Sequence, residues 1–261
     1  MLAALLSVAL ASPVVVSEQT WKGTRWVVAE VDLTEAHVQL VGQRPGSPEL
    51  HTVGRSARWV AAQGRVPLFA TNAGIYMEDR RPLGLHIEAG TRYRDTNRAD
   101  GYGNFYLKPN GVFFIGPLGA AVIGTTEVPD TTPSWTLATQ SGPMLVRGGV
   151  LHPKLNPTSK SRKTRSFVGV RDPQHIVLAV SLDRVRFHDT ATFARDSLKC
   201  ADALYLDGTV SEFWTPERPS VEGDPLGYGG VLVVSVSAEG SGARTPDRPD
   251  EHHLGGGDAV D

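Results

Sequence analysis

A hydrophobic run, Ala203-Leu204-Tyr205-Leu206, ends abruptly in Asp207-Gly208, with Ser211 three residues on. An aspartate at that point is either a turn former or a catalytic carboxylate held at the end of a rigid strand. Asp183 closes the apolar run 177–182 in the same way, so the arrangement occurs twice. A second cluster, Thr71-Asn72-Ala73-Gly74-Ile75-Tyr76, follows the apolar run 66–70. Asn72 there could aim its amide at a ligand while Gly74 supplies a positive φ, and an Asx turn accounts for the same spacing equally well. Gln140-Ser141-Gly142-Pro143 offers an amide, a hydroxyl and a flexible backbone at one strand end, but not the Gly-x-Ser-x-Gly elbow of an α/β serine hydrolase. Asn104 and Lys108 sit among aromatic rings ahead of Pro109-Asn110-Gly111, which reads as a hairpin turn.

Cations concentrate at Lys160, Arg162, Lys163 and Arg165, directly before the apolar run 167–170. Guanidinium groups bind phosphate or carboxylate in a bidentate way, so the run fits an anion site, with a solvated basic loop as the alternative. His152 is close by in sequence, as a proton-transfer group or as a structural histidine. Asp183, Asp207 and histidines are conceivable metal ligands, although no His-x-x-x-His or Glu-x-x-His spacing is present. A structural or catalytic divalent cation therefore stays open, and no other cofactor is expected.

These residues need strands to hold them. Residues 26–33 and 36–41 read as two strands joined in a hairpin. Further strands are expected at 66–70, 112–115, 120–123, 135–139, 144–146, 167–170, 176–182, 203–206 and 230–237. Helical spacing of Val53, Ala57, Val60 and Ala61 predicts a helix over 52–64, and a second is expected over 190–200 with Asp189 as its cap. The pattern predicts an α+β domain over 20–237, a strand-rich mixed sheet with two or three flanking helices.

Composition narrows the partners. With 26 lysines and arginines against 28 aspartates and glutamates, the net charge is 26 − 28 = −2, and no basic excess exists to attract nucleic acid. The single cysteine, Cys200, excludes an intrachain disulfide and a cysteine-based zinc site, and reads as a small buried hydrophobe. The apolar start ends in Ala9-Leu10-Ala11, the small-x-small form of a signal-peptidase site, so residues 1–19 are expected to be a signal-peptide remnant and lead-in, and the protein periplasmic or secreted. No later run is long enough to span a membrane. The Ser, Gly, Pro, Asp and His-rich residues 238–261 are expected to form a flexible tail.

Taken in order, four boxes resemble the phosphodiester glycosidase family, in particular its periplasmic bacterial branch. Asn72-Ala73-Gly74-Ile75-Tyr76 is similar to Asn-Gly-Gly-Phe-Phe, and Gln140-Ser141-Gly142-Pro143-Met144-Leu145 to Ser-Gly-Pro-x-Leu. Arg165-Ser166-Phe167-Val168-Gly169 is similar to Arg-Thr-Ala-Ile-Gly, and Leu206-Asp207-Gly208 to Leu-Asp-Gly-Gly-Gly-Ser. Ala73 stands for a glycine, as do Thr209 and Val210, while Ser211 keeps a hydroxyl near the expected place. The resemblance implies cleavage of a sugar C1–O bond whose leaving group is a phosphodiester oxygen, on a small anionic glycan or sugar-phosphodiester substrate. It implies Asp207, Arg165 and His152 as catalytic residues. Asn72, Gly74, Asn104, Lys108, Gln140, Ser141, Gly142, Arg162, Gly208 and Ser211 would contact substrate. A metal-dependent phosphodiesterase and a noncatalytic glycan-binding module are the rival readings.

Overall fold

The computed structural model describes residues 12–47, 52–131, 134–208, 210–218 and 227–238. Residues 239–261 of the tail expected over 238–261, residues 1–11 of the lead-in expected over 1–19, and Thr209 lie outside the described residues. In chain order the strands are β1 (Val14–Trp21), β2 (Thr24–Asp32), β3 (His37–Val41), β4 (Arg65–Asn72), β5 (His86–Glu88), β6 (Thr91–Arg94), β7 (Gly111–Gly116) and β8 (Gly119–Gly124). They continue with β9 (Leu137–Ser141), β10 (Met144–Arg147), β11 (Val150–Leu151), β12 (Ser166–Asp172), β13 (His175–Ser181), β14 (Asp202–Asp207), β15 (Phe213–Trp214) and β16 (Val231–Ser237). The helices are α1 (Val53–Ala61) and α2 (Phe187–Thr192), the latter running into a π-helical turn at Phe193–Ser197.

The strands form three sheets, with orders β1-β2-β13-β12-β14-β10-β11, β15-β4-β16-β3 and β6-β5-β9-β7-β8. The expected mixed sheet is thus replaced by three sheets in which every described pairing is antiparallel. Short connections such as Pro173-Gln174 between β12 and β13 permit only antiparallel return, since a parallel neighbour needs a long crossover. The hairpin expected between β2 and β3 does not form: β2 pairs with β1 and β13, and β3 with β16. Nor does Pro109-Asn110-Gly111 close a hairpin, because a 3-10 turn at Asn104–Tyr106 precedes it. The Asn110 amide instead donates to the Phe105 carbonyl at 2.7 Å.

Period-two alternation along β13 decides where the cores lie. Ile176, Leu178 and Val180 face a core shared with Phe69 and Leu232 of the second sheet and Phe113 and Leu137 of the third. Val177 and Ala179 face the other way, against Trp26, Phe167 and the Phe193, Ala194 and Cys200 cover. A Cβ on Gly169 would stand 2.3 Å from Cys200 Sγ, so the thiol fills a gap that glycine leaves, and burial pushes its pKa up to about 12. The helix over 52–64 is present as α1, with Thr52 as N-cap accepting from Arg55 N at 3.3 Å and Gly64 at φ +77° beyond its end. The second helix starts earlier than its expected cap: Asp189 lies in the first turn of α2, and Phe193, Ala194 and Leu198 are buried.

Candidate active site

The ends of all three sheets converge at the start of β12. Asn72 closes β4 of the second sheet, Ser141 closes β9 of the third, and Asp207 closes β14 of the first, opposite Ser166. A register shift between Ser166 and Phe167 interrupts the ladder there. Ser166 Oγ accepts from Asn72 Nδ2 at 2.9 Å and from Asp207 N at 3.3 Å, and Ser211 Oγ lies 3.2 Å away. The Ser211 hydroxyl also reaches the Asp207 carbonyl at 2.9 Å, and Asn72 Oδ1 accepts from Glu212 N at 3.2 Å. Asn72 is fully buried, so the second reading of its amide is the structural one: it ties the loop after Asp207 to two sheets.

The Asp207 carboxyl is half-buried and accepts from Gly208 N at 2.6 Å. Burial raises its pKa above the usual carboxylate range, against the smaller opposing pull of the Gly208 amide. Two phenols flank it. Burial first, and the Asp207 charge second, push the Tyr76 and Tyr205 hydroxyls up. A Cβ on Gly208 would come to 2.4 Å from Tyr205 Oη, which explains why glycine follows the aspartate.

Arg80 packs on Tyr76. Its guanidinium lies 5.5 Å from the Tyr76 ring centroid, donates to Tyr76 Oη at 3.3 Å and to the Gly227 carbonyl, and lowers the phenol pKa that Asp207 raises. Arg80 is half-buried and, among the described residues, no carboxylate forms an ion pair with it. Its φ of +65° is a conformation that an arginine rarely adopts. Strained residues of this kind cluster at functional sites.

Several expected contacts are redirected. Arg165 is only 1% exposed, so it lies beneath the site and not at a surface a phosphate could reach. Its Nε donates to Val185 O at 3.0 Å, and its guanidinium stacks 3.5 Å from the Phe187 ring centroid and lies 5.6 Å from that of Tyr205. Asn104 does come near the site, close enough to the Tyr205 hydroxyl to pull its pKa down against burial. Lys108 does not: its ammonium pairs with exposed Asp100 at 2.6 Å. Arg162 is exposed and lines a different cavity. His152 is buried, its Nδ1 accepts from Lys154 N at 3.2 Å, its Nε2 has no partner in the protein, and burial lowers its pKa.

The third-sheet residues act as stitches. Gln140 Oε1 accepts from Leu85 N and Asn97 N at 2.9 and 2.8 Å, while its Nε2 donates to Asn97 O at 2.7 Å and Thr125 Oγ1 at 3.2 Å. Ser141 Oγ donates to Leu206 O at 3.0 Å and accepts from Ile75 N at 3.4 Å. Gly74 is needed for close approach instead of a positive φ, since a Cβ would meet Gln140 O at 2.4 Å, and Gly142 packs likewise against Asn110 and Phe105. Gln140→Ala is therefore expected to cost about 3 kcal/mol, a melting temperature lower by roughly 6–10 °C, with KM changed less than threefold. A tenfold rise in KM at unchanged melting temperature would return Gln140 to the substrate.

Asp183, the other strand-end aspartate, is committed to Arg25, whose guanidinium donates to it at 2.8 and 3.1 Å and holds its carboxyl at about 2. Among the described residues no three His, Cys, Asp or Glu side chains group as metal ligands.

This arrangement has relatives. Residues 67–225, which span Asn72, Arg80, Ser166 and Asp207, match the profile of the phosphodiester glycosidase family. The chain belongs to that family. An uncharacterized protein of Escherichia coli K12 is 37% identical over 155 residues, 59% of this chain and 60% of the relative, so less than two thirds of that relative is matched. Among solved structures, the zebrafish N-acetylglucosamine-1-phosphodiester alpha-N-acetylglucosaminidase catalytic domain, auto-inhibited by its pro-peptide, superposes with a TM-score of 0.58 over 90% of this chain and 85% of that one, at 17% identity. A hypothetical protein from Synechocystis follows at a TM-score of 0.50, covering 85% of this chain and 61% of the other at 14% identity. At these identities the likeness is one of fold.

Proposed function

We propose that this protein hydrolyses the C1–O bond of a sugar 1-phosphodiester in envelope or exopolysaccharide material, in the periplasm or outside the cell. The observation that carries the reading is Tyr76, a phenol that carries Arg80 on its ring and hydroxyl and feels the charge of Asp207: a half-buried carboxylate and an arginine with no carboxylate partner among the described residues act on one side chain. An alkoxide leaving group must be protonated, which is why glycosidases acting on ordinary glycosides use two carboxylates. A phosphate leaves with its charge already in place and needs electrostatic stabilisation instead. One carboxylate and one cation then suffice.

Asp207 faces the anomeric carbon and takes the proton that water sheds as its oxygen bonds to C1. The electron pair of the breaking C1–O bond departs with the phosphate, which Arg80 holds as a phosphomonoester. Tyr76 stays protonated and offers a donor to a substrate oxygen, while buried Tyr205 and Arg165 pack beneath the site. Hydrolysis of sugar 1-phosphodiesters in heavy-oxygen water, with mass spectrometry of both products, tests the reading. Label on sugar C1 with an unlabelled phosphomonoester is the expected result. Label on phosphate would mean P–O cleavage by a phosphodiesterase, and saturable binding without turnover would mean a glycan-binding module.

A further inference from the structure

The basic run 160–165 divides on folding: Arg165 turns beneath the Asp207 site, whereas Arg162 lines a separate cavity of about 200 Å³. Trp21, Lys22, Trp26, Arg186 and Asp189 complete most of its wall. Lys22 is set there by the tight β1–β2 turn, at φ +47° beside Gly23 at +78°, with its ammonium 5.3 Å from the Trp21 ring centroid. Arg186 donates to Ser159 O at 2.7 Å and pairs with Asp189 at 3.2 Å. Three cations against one carboxylate leave the wall at 3 − 1 = +2.

A second observation concerns the floor. Trp26 is completely buried, and neither its Nε1 nor that of Trp21 has a hydrogen-bond partner in the protein. An indole nitrogen can only donate, and burying such a donor unpaired costs about 1–3 kcal/mol. Both nitrogens are closed to solvent, so the indoles floor the cavity and the charged side chains of its wall carry recognition. The volume is below the roughly 300–1,000 Å³ of sites for larger ligands, so a small ion fits best. We propose that this cavity is a binding site for a small tetrahedral oxyanion of the phosphate class, separate from the Asp207 site. The charge of the wall matches a dianion, and Lys22 and Arg162 supply charged donors to its oxygens. Val185 joins the two sites, since it lines this cavity and its carbonyl also accepts from Arg165 Nε.

The whole chain is titrated with inorganic phosphate and with methyl phosphate at constant ionic strength, following tryptophan fluorescence and heat. Saturable binding is expected, weakened about tenfold by Lys22→Gln and by Arg162→Gln, each the loss of one charge-assisted contact at an exposed residue. Asp207→Asn should leave it unchanged, which separates this site from the proposed hydrolytic one. Equal affinity for the two anions identifies free phosphate as the occupant, and tighter methyl phosphate identifies a phosphomonoester end; both support the site. Absence of saturable binding, or binding indifferent to both substitutions, overturns it.

Discussion

Asp207→Asn should lower turnover of a sugar 1-phosphodiester by about 10³ while making the protein more stable. The loss is the range expected when a positioned acid–base or nucleophilic carboxylate is removed. The gain follows from burial. Asn keeps the acceptor for Gly208 N, now at 2.6 Å, but removes a charge whose desolvation is the largest influence on the group. Relief of about 1 kcal/mol corresponds to a melting temperature higher by roughly 2–4 °C in a chain of this size. The pH dependence fixes the sign. Because the folded-state pKa is raised, the native protein binds the Asp207 proton more tightly than the unfolded chain does, so this group's contribution to stability falls as pH rises through that pKa. The stability advantage of Asp207→Asn should therefore open at neutral pH and close in acid. Wild-type activity should show an acid limb above the ordinary aspartate value of about 3.9, since the ionised carboxylate does the work. Turnover within threefold of wild type would remove Asp207 from the reaction.

Much of this site is legible in the residues, and the failures have a common cause. Asn72 and Asp207 close strands whose apolar runs are unambiguous, Gly208 and Ser211 follow Asp207 in the loop, and strand ends are where three sheets meet. Gln140 and Ser141 have the same credentials, yet their polar atoms are taken up by Leu85, Asn97 and Leu206, partners that are distant in sequence. Local spacing identifies a presented side chain but not what is presented to it. The same limit explains β2 and β3: both strands are readable, but strand choice of neighbour is nonlocal and favours β13 and β16. Tyr205 is hidden inside a hydrophobic strand, where its ring reads as core and its hydroxyl goes unnoticed. Arg80 leaves no periodic or motif signal at all. What singles it out is a backbone at φ +65° and a phenol beneath it, and both are properties of the folded chain.

Arg80→Ala should reduce kcat/KM for a sugar 1-phosphodiester by about 10²–10³, the usual effect of deleting one group aimed at developing charge. The substrate comparison carries the test. An activated glycoside with a neutral aryl leaving group places no phosphate beside Arg80, so its hydrolysis should change less than threefold. Arg80→Lys keeps the charge but not the fork that can bind two phosphate oxygens at once, and the strongly hydrated ammonium fits less well against the Tyr76 ring. It should recover only about a tenth of the wild-type rate. Loss of the stacking on Tyr76 and of the bonds to Tyr76 Oη and Gly227 O will also cost stability, and the aryl substrate controls for this because a misfolded site would lose both activities together. Equal losses on the two substrates would make Arg80 a structural clamp on Tyr76, and the phosphate would then need another partner. A selective loss would instead assign the leaving group to Arg80 and leave Asp207 alone at the sugar, the division of labour that a charged leaving group permits and an ordinary glycoside does not.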